Sequence, residues 1–417
     1  MVSPVPASNF AKLTRDQLAV LVPELLLCGH LIDRSGMAHS LGAFGREGMT
    51  AAAIEEWQLA SPVYTRRIRE ALAIPGTDVV TIFKGLQLDI GAPPQFMDFR
   101  FRVEDSTHGE FWLDHCGALA DVEPMGEAFV VAMCHDIEDP TFDATALATN
   151  PYAQVRPIHR PPRNPAGRTP ACAWTVVIDQ AHVPPPVPPN AELIANSRAA
   201  QLVLAPIDPE DEGASDYAGP LLSDLRFGDF SRSALIRLAD EVCLQQHLLT
   251  LGFLTAVRAL GDDDTAVSIG RKQFTGIAGL TAQRLRDCLD LGTGPNALAE
   301  VLRLHPMSNP LPYTDITVDD AKSTVRLRIP SESAARVDGG WAALLDAEHL
   351  EPVLALARGV DPRFEASATV DAGALSIEFR VGTRSYKEAS EVAVTRFSTG
   401  ADFHFTDRGI PLPLTVV

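Results

Sequence analysis

Residues far apart in this chain recur in one order, and that order limits the fold more than any single motif does. Thr14, Leu18, Leu21 and His30 return as Ser231, Leu235, Leu238 and His247, each 217 positions on, and Arg69-Glu70-Ala71-Leu72 returns as Arg286-Asp287-Cys288-Leu289 at the same offset. Val318-Asp319-Asp320 answers Val103-Glu104-Asp105, and Asp361-Pro362-Arg363-Phe364 answers Asp139-Pro140-Thr141-Phe142. Each match alone is weak, but their shared order indicates two tandem copies of one unit. The expected fold is therefore α+β: a duplicated unit of N-terminal helices and an antiparallel sheet, paired as a pseudo-dimer. The expected divisions are a first copy over 1–182, a Pro-rich and acidic linker over 183–227, and a degenerate second copy over 228–417.

Within the first copy, Thr14 with Gln17 reads as a capping box for a helix through Leu18, Leu21, Val22, Leu25 and Leu26, with Gly29 near its end. Thr50 is expected to cap a second helix, Ser61-Pro62 to start a third that ends at Pro75-Gly76, and Thr77-Asp78 a short fourth. The period then falls to two: Phe99, Phe101 and Val103 alternate with arginines, and a polar turn leads into Glu110 and Cys116 as a hairpin. Pro124 is expected to open a helix through Phe129, Val130, Met133 and Ile137, placing Cys134, His135 and Asp136 in its last turn. Strands over 154–160 and 171–178 flank the turn at Asn164-Pro165, with Cys172, Trp174 and Val176 on one face. The proline run 183–189 reads as a semi-rigid spacer and 207–220 as an exposed acidic linker.

A net charge of −19 argues against nucleic acid or an anionic membrane as partner, because both demand a basic face. Residues 1–9 lack the charged start and apolar run of a signal peptide, and no stretch reaches the roughly 18 apolar residues of a membrane span, so a cytoplasmic location is expected. Six dispersed cysteines make no disulfide framework and are expected as thiols. No glycine-rich loop sits in a strand–loop–helix context, so no nucleotide cofactor is expected. The expected partner is a small molecule, with a homodimer left open.

Chemistry concentrates in residues 110–172. Half of the cysteines lie there, within Asp114-His115-Cys116, within Cys134-His135-Asp136-Ile137-Glu138, and at Cys172. A buried cysteine is usually a small hydrophobe, yet aligning the Asp-Pro pairs with one residue of gap sets Cys134, His135 and Asp136 opposite Ala357, Arg358 and Gly359. The second copy then lacks the reactive groups, which favours function in the first. His30 and His247, kept in both, read as structural.

The order of an aromatic strand ending at Cys116, a helix carrying Cys134 and Asp136, Asn150-Pro151, the arginine strand Arg156 to Arg160, Gly167 and Cys172 resembles the L-2-amino-thiazoline-4-carboxylic acid hydrolase family over roughly residues 110–179. The resemblance implies hydrolysis of a carbon–nitrogen bond in a small, cyclic amide or amidine-like substrate. Cys134 or Cys116 would be the nucleophile, activated by His135, by His115 or by a bound metal. Asp136 and Glu138 would orient the imidazole or act as base, and Arg156, Arg160 and Arg163 would clamp a carboxylate. A second class is a zinc or iron enzyme, such as an oxidoreductase, with ligands from Cys116, Cys134, His135, Asp136 and His159. A third is a non-catalytic small-ligand-binding or sensor protein whose second copy shapes the pocket.

Overall fold

The structure is a computed structural model and describes residues 8–321 and 323–416; residues 1–7, most of the N-terminal stretch read above against a signal peptide, lie outside it. The first half begins with α1 (Arg15–Ala71) and α2 (Val79–Leu86), followed by the hairpin β1 (Met97–Val103) and β2 (His108–Cys116). Next come α3 (Gly117–Val122), α4 (Glu127–Val131), a π-helical turn (Ala132–Ile137) and α5 (Glu138–Leu147), then β3 (Ala153–His159) and β4 (Ala173–Ile178). Short helices α6 (Ala191–Ala195) and α7 (Arg198–Gln201) lie in the connecting segment.

The second half holds α8 (Arg232–Leu260), α9 (Asp263–Cys288), α10 (Pro295–Leu304), α11 (Leu311–Thr314), β5 (Thr317–Ala321) and β6 (Thr324–Ile329). It continues with α12 (Ala334–Val337), α13 (Glu351–Val360), β7 (Phe364–Asp371), β8 (Ala374–Val381) and α14 (Ser390–Thr395). The chain is thus α+β, with two four-stranded antiparallel sheets in the orders β1-β2-β4-β3 and β5-β6-β8-β7.

Thr14 caps α1 through a complete capping box, and Ser231 caps α8 by accepting from the Ala234 amide. Each cap satisfies an amide that the first helical turn leaves unpaired. The long helices pack on each other across the halves. Gln246 on α8 donates to the Leu25 carbonyl on α1 at 2.8 Å, and Ser35 donates to the Gln273 carbonyl on α9 at 2.8 Å.

Three sequence expectations fail here for identifiable reasons. Of the three helices expected between Thr14 and Pro75 there are two, which meet at a kink at Gly45 where the backbone leaves helical geometry, and α1 denotes the pair. Gly29 does not end the first: a Cβ there would lie 2.5 Å from the Ile90 side chain, so this glycine permits close packing and not a turn. Pro62 lies inside the helix, where it forfeits one backbone bond, but Leu59, Ala60, Val63 and Tyr64 around it are buried and burial prevails.

The Asp-Pro pair also misleads. Asp139-Pro140 opens α5, whereas Asp361 follows the last turn of α13 and leads into β7. The two stretches therefore occupy different places relative to their helices, and the alignment that set Ala357 opposite Cys134 does not carry over to the structure. Nor is the whole of 207–220 exposed: Tyr217 is buried and its carbonyl accepts from Lys84 Nζ at 3.0 Å. Among the described residues no helix is long and apolar enough to cross a membrane.

Candidate functional site

The hairpin, the strands and the alternation of Cys172, Trp174 and Val176 form as the residue pattern implies, and all three of those side chains are buried. Cys134, His135 and Asp136, however, are not in the last turn of a helix. They lie in the π turn in the middle of a helical run that continues into α5. The wide turn splits their directions. Cys134 points into a small apolar nest of Leu119, Val122 and Val130, His135 donates to the Pro161 carbonyl at 2.7 Å, and Asp136 is exposed.

The other sequence candidates disperse in the same way. Cys116 caps α3, its Sγ accepting from the Leu119 amide at 3.3 Å, while His115 is exposed and stacks on Phe403. His159 Nε2 donates to the Pro170 carbonyl at 3.1 Å. The arginines expected to clamp substrate are paired within the chain: Arg156 with Asp143, Arg160 with Asp139, and Arg163 with Glu123 through two bonds of 2.9 and 2.6 Å. Burial pushes the Cys116 thiol up to about 12, with the nearby Glu138 carboxylate adding to it. Burial drives Cys134 and Cys172 upward as well, so these thiols lack the electropositive setting a thiolate nucleophile needs.

The metal expectation does not fit this arrangement. Among the described residues no group of three or more His, Cys, Asp and Glu side chains is placed to hold an ion. The thiols face a nest of aliphatic groups, Asp136 faces out, and the imidazoles of His135 and His159 are spent on carbonyls.

What the same elements do build is a cavity of about 550 Å³ on the other side of the π turn. Its walls are Met37, Ala53 and Trp57 from α1, Phe99 from β1, and Met133 and Ile137 from the π turn. Val394 on α14 and Phe397 beyond it close it from the second half, so both ends of the chain contribute. Phe397 and Met125, both lining it, are 68% and 41% exposed, which places apolar groups at the solvent edge of the cavity. A π-helical turn costs hydrogen-bond geometry and recurs at functional sites; here it sets Glu138, the first residue of α5, on the cavity wall.

One end of the cavity is polar. Arg34 on α1 lies 3.2 Å from Asp33 and 3.5 Å from Asp121 on α3. Its Nη2 stands 3.4 Å from His30 Nε2; an arginine can only donate, so His30 accepts there. Asp121 also accepts from the Ser398 hydroxyl at 2.6 Å and the Thr399 amide at 2.6 Å, which ties the segment after α14 to the first half. Asp89 accepts from the Tyr64 hydroxyl and the Gly91 amide, both at 2.7 Å. Glu138 Oε2 is shielded from solvent and has no hydrogen-bond partner, and neither does either oxygen of the fully buried Glu56.

The protonation pattern follows from burial. Burial pushes Glu138 from its ordinary 4.5 up to about 8, against the opposing pull of Arg160 and Arg34. Burial raises Asp89 to about 6, countered by the hydrogen bonds from Gly91 and Tyr64. Asp33 is raised by burial and Glu56 far more so, with Asp33 adding to the latter, while burial and then Arg34 hold His30 well below its ordinary value. Of the sequence candidates only Glu138 lines this cavity; Asp33, Arg34, Trp57 and Asp121 were missed. The available signal was His30, Asp33 and Arg34 at i, i+3 and i+4, a charged group on one face of an otherwise apolar helix.

In the second half, the positions 217 on from His30, Arg34 and Trp57 are His247, Leu251 and Phe274. Trp341 packs against two of them: it stacks on Phe274 with centroids 5.2 Å apart and lies 5.1 Å from the His247 ring. His247 Nε2 lies 3.0 and 2.9 Å from the Pro306 and Asn309 carbonyls, within a packed core. Comparison of the chain with protein families, with curated proteins and with solved structures gave no match.

Proposed function

We propose that this chain binds one small, largely apolar molecule in the first-half cavity, with the segment around α14 closing over it. The observation that carries the reading is the cavity itself: about 550 Å³, within the range of small-molecule sites, walled by apolar groups and ending in a few converging polar ones. Nile red, a neutral dye that brightens in apolar surroundings, tests it. One dye per chain is expected, together with loss of the bright signal in Ala132→Phe and Ala53→Leu, which fill the cavity from the π turn and from α1. Dye binding unchanged in both variants at unchanged melting temperature overturns the reading.

We further infer that the chain arose by duplication and folds as a pseudo-dimer, with binding kept in the first half. The shared strand order and the matched caps at Thr14 and Ser231 support this. On this reading Trp341 replaces the ligand in the second half.

A catalytic reading has one specific support. Glu138, pushed up to about 8, can give or take a proton near neutrality at the wall of the cavity. Hydrolysis of a carbon–nitrogen bond, in line with the resemblance over residues 110–179, would then use Glu138 as acid and base in place of a thiolate. Turnover of a cyclic amide that is lost in Glu138→Gln, and kept in Cys134→Ala, is the outcome this reading requires.

A further inference from the structure

We propose that the ligand of this cavity carries a protonated amine at one end of an apolar body, and that Glu138 and its neighbouring carboxylates receive that charge. The inference rests on the binding reading above and adds the chemical class. Four carboxylates, Asp33, Asp89, Asp121 and Glu138, line the cavity against a single guanidinium, Arg34. That one cation is already answered twice, by Asp33 at 3.2 Å and Asp121 at 3.5 Å. Asp89 receives two neutral donors and no cation, and Glu138 Oε2 receives nothing.

Carboxylates buried against apolar walls, as Asp33, Asp89 and Asp121 are, do not keep such an excess of negative charge uncompensated. Without a ligand the compensation is protons, which is why burial raises Glu138, Asp89, Asp33 and Glu56 together. An ammonium group can replace the proton on Glu138. Trp57, Phe99 and Phe142 all line the cavity and supply aromatic rings against which a cation can rest. Binding then releases a proton to solvent: the carboxyl O–H bond ionises, and the ammonium N–H donates to the carboxylate formed.

Groups from several elements bear on that ionisation. Arg34 on α1 and Arg160 beyond β3 favour the carboxylate, Asp139 on α5 opposes it, and the thiols Cys116, Cys134 and Cys172 stand close and stay neutral. The ammonium must outweigh the repulsion of Arg34, which its two carboxylates already offset.

Three probes of equal length and different charge decide the matter: n-octylammonium, 1-octanol and octanoate, titrated calorimetrically into the full chain at pH 6.5 and 8.5. The expected order is ammonium at least tenfold tighter than octanol, with octanoate weakest. Ammonium affinity should rise with pH, and at pH 6.5 its binding heat should shift between buffers of different ionisation enthalpy as a proton is released. In Glu138→Gln the ammonium should lose its advantage and fall to within about threefold of octanol, with a cooperative thermal melt showing that the variant is folded. Octanoate binding best, or equal affinity for all three, overturns the amine assignment and leaves the apolar-ligand reading standing. Failure of all three to bind overturns both.

Discussion

Trp341 lies flat on Phe274, with ring centroids 5.2 Å apart and planes 11° from parallel, and on the duplication proposed above it occupies the place that the cavity has in the first half. Trp341 is 1% exposed and stands within 5.1 Å of His247, so it is a plug and not a wall. Trp341→Ala should cost about 3–5 kcal/mol, the usual loss for a large buried aromatic. It should also open a second apolar space. Denaturant melts give the first quantity, and Nile red stoichiometry rising from one to two gives the second; a destabilised variant that still binds one dye would mean the space collapses and the halves are not equivalent.

Glu138 makes stability depend on pH in a defined direction. Its folded value of about 8 lies above its ordinary 4.5, so its contribution to stability is fully present below pH 4.5 and is lost as pH rises through 8. Between those limits one proton held by the folded state alone gives a slope of about 1.4 kcal/mol per pH unit. Asp89 and Asp240, raised to about 6 and about 7, add slopes of the same sign that remain in any Glu138 variant. Urea unfolding from pH 5 to 8.5 should therefore show a shallower decline for Glu138→Gln than for the natural sequence. Parallel curves would place the Glu138 carboxyl in ordinary solvent contact.

Cys134 should behave as a packed side chain. It is 2% exposed among Leu119, Val122 and Val130, and burial holds its thiol protonated. Cys134→Ala should cost about 1 kcal/mol or somewhat more and leave dye binding intact. Reaction of Cys134 with a thiol reagent, followed by mass spectrometry, should track global unfolding. Fast labelling in the native protein would return this thiol to the reactive class.

Gly45 should resist replacement although its surroundings are empty. It holds φ 69° and ψ −177°, a region that a side chain strongly disfavours, and no atom lies within 4 Å of where a Cβ would stand. Gly45→Ala should then cost about 1–3 kcal/mol through the backbone alone. An unchanged melting temperature would show that the two segments of α1 meet more loosely than this geometry.

What the residues disclosed by themselves was local. The capping box at Thr14, the alternation of Phe99, Phe101 and Val103, and the inward face of Cys172, Trp174 and Val176 depend on neighbours within a few positions, and all of them form. Gly29 and Gly45 mark the limit. One admits Ile90 and the other bends the helix, and only the tertiary neighbour tells them apart. The cavity was illegible for the same reason: Asp121 meets Ser398 and Thr399 from the far end of the chain. The thiol cluster looked chemical because cysteines, histidines and carboxylates crowd together in residue order and because the Asp-Pro alignment left them without counterparts in the second half, and the helix-end reading kept them together. A π turn has no marker in residue order, and this one sends the thiol, the imidazole and the carboxylate of Asp136 three different ways.

The binding cavity is tested most directly by locating a neutral ligand within it. Crystals soaked in 8-bromo-1-octanol and measured at the bromine absorption edge should show one dominant bromine site, enclosed by Met37 on α1, Met133 on the π turn and Val394 on α14. Bromine found only on the surface, or beside Trp341 in the second half while the first-half cavity stays empty, would contradict the account.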